Sequence, residues 1–111
     1  MQGKYKVITL CGSSKFKDDF IRVQNLLSLA GNIVLSPLFF NQSGNECIWE
    51  GMDEDTVREK IKMLGDMHKR KIDMADEIFV INVEGYIGEA TKSEIEYAIK
   101  AGKKVNYLKQ K

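Results

Sequence analysis

The chain has 111 residues, 43% of them hydrophobic, which is enough for one packed core and argues for a globular chain and against disorder. Its 17 basic and 16 acidic residues leave a net charge of +1, so no overall basic field points to a nucleic-acid polymer or a membrane surface. No apolar run is long enough to span a bilayer, and the first residues, MQGKYKVITL, lack a signal-peptide layout. Cys11 and Cys47 are too few for a disulfide framework and sit in no CxxC pattern. The expectation is a single cytoplasmic domain over residues 1–111 with reduced thiols.

Tyr5–Leu10 is a β-branched and apolar run that predicts a first strand. Gly12-Ser13-Ser14 is a turn, with Ser13 or Ser14 as a helix cap. A helix is predicted from Lys15 to about Ala30, with Phe16, Phe20, Val23 and Leu27 on one face and Gly31-Asn32 as its stop. Ile33–Ser36 is a short second strand, halted by Pro37. From Pro37 to about Met52 there is no clear period; the segment reads as a lid or excursion, with Phe39, Phe40 and Trp49 as lid or interface candidates. A long helix follows from about Asp53 to Met74, with Val57, Ile61, Leu64, His68, Ile72 and Ala75 on one stripe. Its acidic start and basic end suit the helix dipole. Glu77–Asn82 is a third strand, apolar enough for burial on both faces. A loop with Gly85 and Gly88 leads to a helix predicted from Thr91 to about Ala101, and Lys104–Leu108 is a fourth strand.

Strands alternating with helices predict an α/β fold: a parallel sheet with right-handed crossovers, small and flavodoxin-like or Rossmann-like, with three crossover helices. The expected strand order is 2-1-3-4. Ligands of such sheets bind beyond the carboxyl ends of the strands, where the winding direction switches. That switch falls between strands one and three, so the loops Cys11–Lys15 and Val83–Lys92 face each other across the crevice.

Gly12, Ser13 and Ser14 suit a phosphate or sugar at a helix N-terminus, and equally an ordinary capped turn. They match neither GxxxxGK[ST] nor GxGxxG. Thr91-x-x-Glu94 fits a capping box, which by itself explains a Glu there. The same place also suits a carboxylate kept ionised by the helix dipole and able to attack an anomeric carbon. His68, the single histidine, stands on an apolar stripe, as a core histidine would. It lies roughly 10 Å above the lower end of its helix, within reach of the crevice floor. Tyr86 offers a ring for stacking on a base or for packing on the neighbouring loop. Glu89 is a ribose contact or a solvated charge. Asp73 and Asp76 fall near the amino ends of the strands, away from the crevice. Cys11 reads as a small apolar filler, and no spacing of His, Cys and Asp suggests a metal site.

Three segments carry a resemblance: the strand running into Cys11-Gly12-Ser13-Ser14, the segment Ile72-x-x-Ala75-Asp76 before an apolar strand, and the glycine-marked loop leading to Glu94-Ile95-Glu96-Tyr97-Ala98. Over most of its length the chain resembles the nucleoside 2-deoxyribosyltransferase-like family. That family's last motif reads Glu, apolar residue, Gly, aromatic residue or Arg, Ala; Glu94 matches its nucleophile, and Glu96 replaces its Gly. The resemblance implies cleavage of the N-glycosidic bond of a 2′-deoxynucleoside or its 5′-monophosphate, with the deoxyribosyl group passing from Glu94 to another base or to water. It implies Ser13, Ser14 and Lys15 at the 5′ side of the sugar. His68 stands where the family usually has an Asp near the base, which implies a proton-donor or base-contact role. Gly88 or Glu89 stands where an Asp or Ser often precedes the nucleophile. No cofactor is implied, and the expected assembly is a homo-oligomer in which a neighbouring subunit helps complete the site. The competing expectation is a nucleotide-binding module of the same fold without chemistry, in which Glu94 is a cap.

Overall fold

The computed structural model describes residues 5–37 and 51–109. Cys47, Phe39, Phe40, Trp49 and most of the expected lid lie outside the described residues.

Four parallel strands form one sheet in the order 2-1-3-4, the order expected from the alternation of elements. In chain order the elements are β1 (Val7–Gly12), a 3-10 turn (Ser14–Phe16), α1 (Lys17–Leu29), β2 (Ile33–Leu35), α2 (Glu54–Met74), β3 (Glu77–Ile81), a second 3-10 turn (Val83–Gly85), α3 (Glu89–Lys100) and β4 (Lys104–Tyr107). Among the described residues no helix is long and apolar enough to cross a membrane.

The alternation of side chains along β1 divides the core between the two faces of the sheet. Ile8 and Leu10 pack with Phe20 and Val23 of α1 and with Ile81. Cys11 packs on the other face with Ile78, Val80, Ile72 of α2 and Ala98 of α3. β3 is buried along nearly its whole length, as a strand covered by helices on both sides requires.

Polar groups fix the helices and strand ends. Asp53 caps α2 by accepting from the Thr56 N–H at 2.7 Å. The Thr9 hydroxyl, fully buried, donates to the Lys71 carbonyl at 2.8 Å and ties β1 to α2. Asp76 accepts from the Val7 N–H at 2.8 Å, and Asp73 accepts from the Tyr97 hydroxyl at 2.6 Å. Both aspartates therefore serve the amino end of the sheet, as expected. Asn82, also fully buried, accepts from the Lys109 N–H at 2.8 Å and donates to the Lys109 carbonyl at 3.0 Å.

Most boundaries move by one or two residues from the expectation, and two of these shifts bear on the crevice. β1 runs two residues beyond Leu10, because it stays paired with β3 as far as Gly12 opposite Ile81. α3 begins at Glu89 rather than Thr91. Gly88 is its N-cap residue, with extended backbone, and Thr91 is buried inside the first turn. Thr91 therefore caps nothing, and Glu94 lies in the second turn.

Gly12 is where the sheet comes closest to intolerance. Its φ is +152°, and a Cβ there would stand 2.9 Å from the Ile81 carbonyl oxygen and 3.2 Å from Phe20 Cζ. Backbone strain and overpacking each cost about 1–3 kcal/mol. Gly12→Ala should therefore lose about 2–5 kcal/mol in urea unfolding; a loss under about 0.5 kcal/mol would contradict this packing.

Candidate functional site

The winding switch between β1 and β3 opens onto a cavity of about 420 Å³. Its walls come from the ends of both central strands and from the helices that cover one face of the sheet. Gly12 and Ser13 follow β1; Ile61, Leu64, Gly65, Met67, His68 and Lys71 come from α2; Gly88, Glu89, Thr91 and Glu94 come from the start of α3. The stripe expected on α2 thus divides in two. His68, Ile72 and Ala75 are buried, whereas Ile61 and Leu64, nearer its start, wall the cavity.

The loops at the switch face each other as the topology requires. Lys15 Nζ lies 3.9 Å from the centroid of the Tyr86 ring, and the Phe16 and Tyr86 rings meet edge to face at 5.8 Å. Lys15 and Tyr86 therefore stack on each other beside the cavity and are not among its lining residues. Of the other expected binding residues, Gly12, Ser13, Gly88 and Glu89 line the cavity. Ser13 caps the 3-10 turn, accepting from the Lys15 N–H at 3.3 Å, and Ser14 contributes backbone to that turn. Glu89 is almost wholly exposed and stands 3.7 Å from Lys92, a pairing of little energetic weight.

At the cavity floor the two expected catalytic residues come together with a third that the sequence left as filler. Cys11 Sγ is 3.4 Å from His68 Nε2, and His68 Nε2 is 3.7 Å from Glu94 Oε1. The His68 side chain is 6% exposed and that of Glu94 21%. Cys11 is buried in the core, as a filler would be, but its sulfur belongs to this cluster. The absence of any local His, Cys and Asp spacing hid the cluster. Its three members come from β1, α2 and α3, and only the strand order brings them together. The available signal was position: Cys11 is the last residue of β1 to carry a side chain, at the switch point.

Burial decides the charge of each member. It pushes Glu94 up from its ordinary 4.5 to about 7, against the opposing pull of the Cys11 thiol and the Lys69 cation. Burial, reinforced by the Lys71 cation, pushes His68 down to about 4. Burial and the neighbouring Glu94 push the Cys11 thiol well up, so it is protonated at neutral pH. The expectation that the helix dipole keeps Glu94 ionised is thereby corrected. The dipole acts within the first turn, and Glu94 lies past it. With the imidazole neutral, the 3.7 Å approach of His68 to Glu94 is neither an ion pair nor a hydrogen bond.

Compared with family models, with curated proteins and with solved structures, the chain matches none.

The two shifts act on stability with opposite sign. The folded state favours protonated Glu94, so that contribution is full below pH 4.5 and is lost as pH rises to about 7. The folded state favours neutral His68, so that contribution is full above pH 6.5 and is lost as pH falls to about 4. Each amounts to about 3 kcal/mol across its window. Relative to the native chain, Glu94→Gln should gain stability as pH rises through its window, and His68→Gln should lose stability as pH rises through the other. Urea midpoints across this pH range check both; curves parallel to the native one would contradict the buried charge assignments.

Proposed function

We propose that the chain cleaves the N-glycosidic bond of 2′-deoxynucleosides or their 5′-monophosphates and passes the deoxyribosyl group to water or a second base. The observation that carries the reading is Glu94 itself. It is a mostly buried carboxyl group at the floor of the switch-point cavity, with no part in capping its own helix. The bland explanation of a Glu at this place was the capping box, and that explanation has lost its cap residue. The cavity volume falls within the range of small-molecule sites. The resemblance of the Glu94-to-Ala98 segment to the nucleoside 2-deoxyribosyltransferase-like family supplies the substrate class.

In this reading ionised Glu94 attacks C1′ of the sugar as the bond from C1′ to the base nitrogen breaks. The bonding pair leaves with the base, which takes a proton from water. The acceptor then attacks C1′ from the opposite side, loses its proton to solvent and frees the carboxylate. His68, neutral at physiological pH, suits a positioning role better than the proton-donor role expected from the resemblance. Its Nε2 faces Glu94 and can turn an N–H toward the charge that forms there. Ser13, which lines the cavity, and the 3-10 turn behind it take the 5′ side of the sugar in the same proposal. A homo-oligomer whose neighbouring subunit closes the open rim belongs to the same proposal, as does a cytoplasmic location.

Intact-mass spectrometry tests the reading directly. Metal-free protein mixed with a panel of deoxynucleosides and monophosphates should gain the mass of one deoxyribosyl group, and Glu94→Gln should gain nothing. Base release should rise with pH through about 7 as Glu94 ionises beside Cys11, His68, Lys69 and Lys71. Absence of both adduct and base release across the panel would end the proposal.

A further inference from the structure

Among the described residues one group of metal-ligating side chains stands within bonding range of a single ion: Cys11, His68 and Glu94, whose ligand atoms all lie within 4.8 Å of one another. Two of the three separations have the right size. Zinc bonds of about 2.3 Å to sulfur and about 2.0–2.2 Å to nitrogen or oxygen, held at the tetrahedral angle, place S and N about 3.6 Å apart and N and O about 3.4 Å apart. The observed separations are 3.4 Å for Cys11 Sγ to His68 Nε2 and 3.7 Å for His68 Nε2 to Glu94 Oε1.

Three further features agree. Each ligand comes from a different element, β1, α2 or α3, so the sheet and its two covering helices hold the set. His68 and Glu94 both line the cavity, so a fourth position can open toward it. And His68 is not a satisfied core histidine. Its Nδ1 is a buried side-chain polar atom without a hydrogen-bond partner among the described residues, and its Nε2 meets the Cys11 sulfur at 3.4 Å and Glu94 Oε1 at 3.7 Å.

We propose that Cys11, His68 and Glu94 form a site for one divalent d-block cation, zinc foremost, with its fourth position open to the cavity. The donor set of one sulfur, one imidazole and one carboxylate selects zinc over magnesium or calcium, which favour all-oxygen shells. Thiolate and carboxylate together balance the charge of the ion, so a neutral unit is buried rather than a net charge. The site does not rest on the glycosidic reading, and it makes a rival demand on the same residue. A carboxylate committed to the ion cannot attack a sugar, so the loaded protein is inactive in deoxyribosyl transfer and chelation restores it.

The test begins with metal-free full-length chain. Titration with Zn²⁺ should show one ion per chain, and Co²⁺ in its place should give the near-ultraviolet thiolate-to-cobalt absorption of a cysteine ligand. Cys11→Ser should abolish that absorption and weaken Zn²⁺ binding by more than the tenfold to hundredfold typical of outer-shell changes. His68→Gln should weaken it as strongly, and Cys47→Ser should leave it unchanged. Circular dichroism establishes that each variant is folded. Absence of stoichiometric binding to the native chain, or binding that Cys11→Ser and His68→Gln both retain, overturns the site. Neither readout depends on turnover, so loss of the metal site and loss of the glycosidic reading are separate results.

Discussion

The missing side chain at Gly12 is what lets the two central strands stay together to their ends. β1 remains paired with β3 through Gly12 opposite Ile81 because hydrogen, not carbon, faces the Ile81 carbonyl and the Phe20 ring. With the pairing intact, Cys11 is held at the carboxyl end of the sheet with its sulfur on the side covered by α2 and α3. Those helices bring His68 and Glu94 over it, and the chain leaves β1 and β3 in opposite directions to open the cavity. A wider separation at this one register position would remove the floor on which the cluster stands.

The cluster itself is a compromise between packing and charge. Three titratable groups share a space from which most water is excluded, and each takes the neutral form more readily than it would in solution. That makes the cluster tolerable to the fold, because between about pH 4 and 7 all three groups are mostly neutral. It also means that any useful chemistry there begins with a proton leaving, whether the partner is a sugar or an ion.

Much of the fold was legible in the sequence, for physical reasons. The apolar centre of β3, the period of α2 and the regular alternation of strand and helix point to a parallel sheet, and the known handedness of crossovers narrows the orders it can take. His68 and Glu94 were legible as cavity residues because the switch-point rule needs only topology. Two things were not. Cap chemistry is shared by Gly88 and Thr91, and only the backbone, extended at Gly88 and helical at Thr91, decides between them. The sulfur of Cys11 meets His68 across 57 residues of chain, a contact that no local spacing encodes. Lys15 and Tyr86 were placed on facing loops correctly, but their attraction for each other is a side-chain matter that loop position leaves open.

The Asn82 amide carries a consequence for the other edge of the sheet. β4 is short, and its sequence of Lys104, Val105, Asn106 and Tyr107 holds only two apolar residues to choose a face. Its alignment is fixed instead by two pegs on β3's side: Glu77 receives the Asn106 amide, and Asn82 grips both backbone groups of Lys109. A slip of one residue would break both grips at once and turn Val105 and Tyr107 outward. The edge strand is thus indexed by polar side chains, leaving its outer rim free to be charged without loss of alignment.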